Sequence, residues 1–132
     1  MGANGIRAEG GISLAAALKG NKVIKELDIS DNQLDKDADY DDDMSGVIAI
    51  GNAIPTMGAL VKLDMSSNPM GATGAKAIAK MLKGNSILAD LNVSGNYLGK
   101  KEGGGDLSGV IELADSLKNN GALSCLNVKD SN

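Results

Sequence analysis

Residues 24–34 read IKELDISDNQL, and the phrase returns as LVKLDMSSNPM at 60–70, LADLNVSGNYL at 88–98 and, in shortened form, LSCLNVKDSN at 123–132. Its skeleton is Leu-x-x-Leu-x-(Ile/Met/Val)-Ser-x-Asn-x-(Leu/Met). The copies begin 36, 28 and 35 residues apart. A fixed phrase at intervals of this size is one structural unit stacked on itself, because each unit exposes an apolar face that only its neighbours can cover.

Outward from the phrase, the apolar period changes. Around Leu27 and Ile29, Leu63 and Met65, Leu91 and Val93, and Leu126 and Val128 apolar and polar residues alternate, as in a short strand. Upstream, Leu14, Ala15 and Leu18 are matched by Ile50 and Ile54, by Ile78, Ala79 and Leu82, and by Leu113, Ala114 and Leu117, each set one helical turn apart. The pattern predicts one α/β domain over 1–132. Helices are expected at about 7–19, 45–57, 73–84 and 107–119, and strands at 26–30, 62–66, 90–94 and 125–128. Such short helices form by packing rather than by propensity. Gly10, Gly46, Gly74 and Gly109 repeat with the helices and suggest points where adjacent backbones approach too closely for a side chain. Asn32, Asn68 and Asn96 fall where the chain leaves each strand. Their amides can satisfy turn backbones that would otherwise be buried without partners, forming a structural ladder. The fourth position is Ser131, with Asn132 next to it.

The long repeats carry related inserts, 35–45 and 99–107. Repeats one and three resemble each other, as do two and four, so the chain reads as a duplicated pair of about 64 residues.

Composition narrows function mostly by exclusion. The chain has 132 residues, 42% of them hydrophobic, with no Trp or Phe, so its core is aliphatic. The 18 glycines punctuate repeats rather than form a low-complexity run. The formal charge is -4, yet residues 35–43 alone hold six Asp and one Lys, net -5, which leaves +1 for everything else. Arg7 is the only arginine, and no basic stripe suggests nucleic acid. No run approaches the length of a membrane span, and the first residues lack a signal-peptide profile. The lone Cys125 suits a reducing compartment, and a cytoplasmic location is expected. With no His, no base beside Cys125 and no phosphate-binding loop after a strand, catalysis has no candidate residues.

The phrases, together with NPMGATGAKAIAKMLKGNSILADLNVSGN at 68–96, resemble leucine-rich repeat proteins, most of all the ribonuclease-inhibitor-like subclass found in NOD-like receptors and Ran GTPase activators. That resemblance implies a right-handed horseshoe segment of about four repeats, with a parallel sheet on the concave face and helices on the convex face. It also implies a noncatalytic protein-protein interaction module that binds through the concave face and the strand-to-helix loops. On the concave face the exposed columns include Glu26, Lys62 and Asp90, then Asp28, Asp64 and Asn92. Tyr40 and Tyr97 lie at the loop edge and shift the expected contact there, since binding energy concentrates on Tyr, Trp and Arg. No separate cap is written at either end, which predicts end-to-end dimerisation or membership of a longer array.

The acidic insert carries a different expectation. Asp35, Asp37, Asp39, Asp41 and Asp43 stand at alternate positions, as oxygen ligands do in a calcium loop, although Tyr40 and Gly46 replace the Gly and the bidentate Glu of that count. Weak calcium binding is one reading. A solvated loop kept extended by its own charge is another, and a third is contact with Lys100 and Lys101 of the sister insert.

Overall fold

The computed structural model describes residues 4–99 and 107–129. Helices α1 (Arg7–Leu18), α2 (Ser45–Ala53), α3 (Gly71–Lys83) and α4 (Ser108–Lys118) alternate with strands β1 (Glu26–Asp28), β2 (Lys62–Asp64), β3 (Asp90–Asn92) and β4 (Cys125–Asn127). The strands form one parallel sheet in chain order. Its register aligns Leu27, Leu63, Leu91 and Leu126 in one row. Each phrase is therefore one strand, and equivalent side chains stack into columns. Among the described residues no helix is long and apolar enough to cross a membrane.

Each strand is shorter than the alternation predicts. After its third residue a side chain captures the turn: Asp28 Oδ1 accepts from both the backbone N–H and the hydroxyl of Ser30 (2.9 and 2.6 Å), and Asp64 does the same with Ser66. Such local bonds take the Ser30 and Ser66 N–H groups out of the regular ladder, although backbone bonds between repeats resume beyond them, as from Asp31 N–H to the Ser66 carbonyl. The second helix, expected over 45–57, gives way at Ala53 to a 3-10 turn over Ile54–Thr56. Pro55 lacks the N–H that an α-helix would need there. The third helix begins at Gly71, two residues earlier than its apolar spacing suggests.

Leu34, Ile50, Ile54, Leu60, Leu63, Met65, Ile78, Leu82, Leu88 and Leu91 fill the centre between sheet and helices. The helices pack most closely in two pairs, α1 with α2 and α3 with α4. The glycine column explains this only in part. A Cβ on Gly46 would lie 2.7 Å from Ala8 Cα, and one on Gly109 would lie 2.5 Å from the Ala72 carbonyl oxygen. Gly10 and Gly74 instead tuck under their own Ile6 and Met70, and it is Gly11 that faces Gly46. The repeat glycine thus makes an inter-helix contact only in the two helices that follow an insert.

Candidate functional site: the loop edge and its groove

The asparagines at the strand exits are fully buried and form a directional ladder. Asn68 Oδ1 accepts the backbone N–H groups of Asn32 (3.0 Å) and Leu34 (3.3 Å), while its Nδ2 donates to the carbonyls of Ile29, Met65 and Ser66. Asn96 Oδ1 accepts from Asn68 N–H, and its Nδ2 donates to Met65 and Val93. Each Asn closes the turn of the repeat before it. The rung at Ser131 and Asn132 lies outside the described residues.

Two further sets of asparagines lie outside the repeated phrase and take part in bonds of the same kind. Asn32 Oδ1 accepts from Asn4 N–H (2.9 Å), and Arg7 N–H donates to the Asn32 carbonyl just as Gly71 N–H donates to that of Asn96. Asn4 thus stands at a rung of the same ladder, and its distance of 28 residues from Asn32, equal to that between Asn68 and Asn96, is the signal that could have found it. At the other end of the repeat Asn21, Asn85 and Asn120 each accept two backbone N–H groups of the helix-to-strand turn.

On the sheet face away from the helices, the side chains of Asp28, Asp64 and Asn92 are committed to their turns. Bonds from Ser30, first to its hydroxyl and then to its N–H, hold the Asp28 carboxyl below the ordinary value. Asn92 Nδ2 also donates to Asp64 Oδ2 (3.0 Å). Glu26, Lys62 and Asp90 stand side by side in the neighbouring row.

The acidic insert is folded, not extended. Lys36 and Asp42 form an isolated antiparallel bridge, their side chains form an ion pair, and Asp43 N–H donates to the Asp35 carbonyl (2.7 Å). Inside the bend Asp37 Oδ1 accepts the N–H groups of Asp39 and Asp41 (2.8 and 3.0 Å). Asp43 Oδ1 accepts from Ser45 N–H at the start of α2, and its bonds to Ser45 lower its pKa. Like charges are tolerated because carboxylates receive backbone N–H groups and Lys36 lies among them. Among the described residues no three acidic side chains converge in a metal-binding group, so Asp35, Asp37, Asp39, Asp41 and Asp43 are not gathered as the alternate spacing suggests. Lys100, Lys101 and most of the second insert lie outside the described residues.

Asp35 has a separate role. It is only 2% exposed, its Oδ1 has no hydrogen-bond partner among the described residues, and Lys36 Nζ stands 3.6 Å from Oδ2. Burial raises its pKa against the opposing pull of backbone hydrogen bonding and Lys36. The folded chain therefore holds this proton more tightly than the unfolded chain, and the resulting stabilisation is fully present below 3.8 and lost as pH rises through the raised value. Asp35→Asn is expected to stabilise the protein at pH 7, with the difference from the parent closing below pH 3.8; urea unfolding of both chains across acid to neutral pH measures it. Asp28 and Asp43, shifted the other way, act equally in both chains and cancel.

The insert and the strand-exit turns of repeats one, two and three line an open groove of about 620 Å³ formed by Asp31, Gln33, Asp35, Lys36, Tyr40, Ser67, Pro69, Gly95 and Tyr97. It brings together both tyrosines, 59% and 44% exposed, which lie 57 positions apart in the sequence. The Arg7 guanidinium stacks 4.3 Å from the Tyr40 ring centroid while its Nη1 donates to the Ala38 carbonyl (3.1 Å). Tyr40 and Tyr97 both have positive φ, 64° and 51°, so their backbones occupy the left-handed region and their rings are presented from tight turns.

A family model described as "Leucine Rich repeat" matches residues 20–37 and 60–79. Among solved structures the chain is similar to one described as "Leiomodin-1 Actin-Binding Site 2 (ABS2)", with 23% identity and a TM-score of 0.75, covering 96% of this chain and 66% of that one. It is also similar to the tropomodulin C-terminal domain of Caenorhabditis elegans, with 10% identity and a TM-score of 0.54, covering 92% and 82%. At these identities the likeness is one of fold. No curated protein sequence matches the chain.

Proposed function

Its repeats and their fold make this chain a leucine-rich repeat protein, and from that premise we propose that it is a noncatalytic protein-binding module whose main contact is the groove between Tyr40 and Tyr97. The observation that carries this reading is the convergence of the chain's only two aromatic side chains on one groove. Aromatic anchors at the centre of a concave patch are where interface energy concentrates. Tyr40 is already held by Arg7, so little of its rotamer freedom remains to be lost on binding. The acidic insert along one rim favours a partner segment bearing Lys or Arg, which would be steered in by charge and less so at high salt.

Actin is the first partner to test, because the leiomodin structure of similar fold is described as an actin-binding site. Cosedimentation with actin filaments, and fluorescence anisotropy with monomeric actin, should show binding that Tyr40→Ala with Tyr97→Ala weakens by about tenfold or more. Glu26→Ala with Lys62→Ala and Asp90→Ala should change it by less than about threefold, as for rim charges. The opposite ranking would transfer the interface to the sheet face. Absence of binding would remove actin, and the same two variant sets would then be ranked on a partner captured by affinity purification.

A further inference from the structure

The two ends of the solenoid are complementary. The far side of repeat four opens an apolar hollow of about 220 Å³ lined by Leu98, Val110, Leu113, Ala114, Leu117, Leu126 and Val128. Val110 and Val128 are 37% and 40% exposed there. The duplicated pair supplies counterparts in repeat two: Val47, Ile50, Ile54, Leu63 and Met65 stand where repeat four has Val110, Leu113, Leu117, Leu126 and Val128. All five counterparts are buried, with repeat three seated against them. The covering side of repeat three uses Met70, Ile78, Leu88 and Leu91, again fully buried. Their counterparts in repeat one are Ile6, Leu14, Ile24 and Leu27, which are only partly buried at the opposite end of the molecule. The open ends are thus the two halves of an interface the chain already makes once, between repeats two and three.

We propose that the occupant of the repeat-four face is the repeat-one face of a second copy of this chain, with β4 of one copy running parallel to β1 of the next in the register of β2 beside β3. The polar row supports that pairing. Inside the molecule Asp64 sits beside Asn92 with a hydrogen bond between them. Head-to-tail stacking sets Asn127 beside Asp28, the same amide and carboxylate with their positions exchanged. Because the two faces differ, every added copy leaves one face of each kind open, so the contact builds assemblies longer than a dimer, rings where the rotation between copies closes and filaments where it does not. It is independent of the tyrosine groove.

The register supplies a test. Cys125 is exposed on β4, and its row in β1 is occupied by Glu26, also exposed. In the proposed contact a Glu26→Cys variant places the new thiol on the strand next to Cys125 of the neighbouring copy, at a Cα separation of roughly 5 Å that a disulfide can bridge. Within one molecule β1 and β4 are three strand spacings apart, roughly 14 Å, which a disulfide cannot span. Mild oxidation should give a ladder of covalent oligomers whose links map by mass spectrometry to 26–125 between molecules. Sedimentation of the unaltered chain should show average mass rising past the dimer with concentration. Val110→Lys with Val128→Lys, both at exposed positions, should reduce the 26–125 link at least tenfold with far-UV circular dichroism unchanged. A monomer at all concentrations, or links dominated by 125–125 and 26–26, would overturn the proposal. The link map decides the matter even where the lysine variant misfolds.

Discussion

Asn68→Ala lowers the free energy of unfolding by about 4 kcal/mol or more, the sum of several buried backbone groups left without partners at roughly 1–3 kcal/mol each. The side chain is inaccessible to solvent and joins five backbone groups from two repeats, including the N–H groups of Asn32 and Leu34 and the Ile29 carbonyl. Alanine offers neither donor nor acceptor, and Asn32, Leu34 and Ile29 are themselves fully buried, so their freed backbone groups are shielded from water. Against a typical total of about 5–15 kcal/mol the loss is large. Urea unfolding measures it as a shift of midpoint at constant slope; a shift corresponding to less than about 1 kcal/mol would show that the turns stand without the ladder.

The second large effect is steric. Gly46→Ala puts a methyl group 2.7 Å from both the Cα and the carbonyl oxygen of Ala8, backbone atoms that no rotamer change can move. Helix α1 must then separate from α2, at a cost of about 3 kcal/mol. The expected fall in Tm is roughly 10 °C for a chain of this size. Gly51→Ala, in the same helix, is the comparator. Its added methyl would meet nothing closer than the Ala77 carbonyl oxygen at 3.4 Å, and alanine is the better helix former, so its Tm should stay within a few degrees of the parent or rise. Equal losses at both positions would mean that helix propensity, and not the close approach to Ala8, governs the site.

The order of elements and the stacking of Leu27, Leu63, Leu91 and Leu126 were legible because a period of 2 and a period of 3.6 alternate within a fixed phrase. Strand ends were not, because Ser30 and Ser66 look like one more outward-facing position until Asp28 and Asp64 are seen to bond them. The glycine column misled for a similar reason: Gly10 and Gly46 occupy equivalent places in sequence, yet one touches its own Ile6 and the other a neighbouring helix, a difference set by inter-helix distance. For the candidate site, sequence directed attention to Tyr40 and Tyr97 at the loop edge. That they share one groove depends on the folding back of 35–43, where charge counting predicted repulsion and Asp37 instead gathers the N–H groups of Asp39 and Asp41.

The direction of the asparagine ladder bears on the order in which the chain can be assembled. Asn68 closes the turn containing Asn32 and Leu34, and Asn96 closes the turn containing Asn68, so each of these turns waits for a residue that lies further along the chain. A polypeptide leaving the ribosome presents its N-terminal repeats first. Each of them emerges with buried-to-be N–H groups that only the next repeat can satisfy, and synthesis therefore runs one repeat ahead of completion. The same one-way dependence makes loss of Asn96 a disturbance that reaches the turn containing Asn68 first and, through it, the turn containing Asn32.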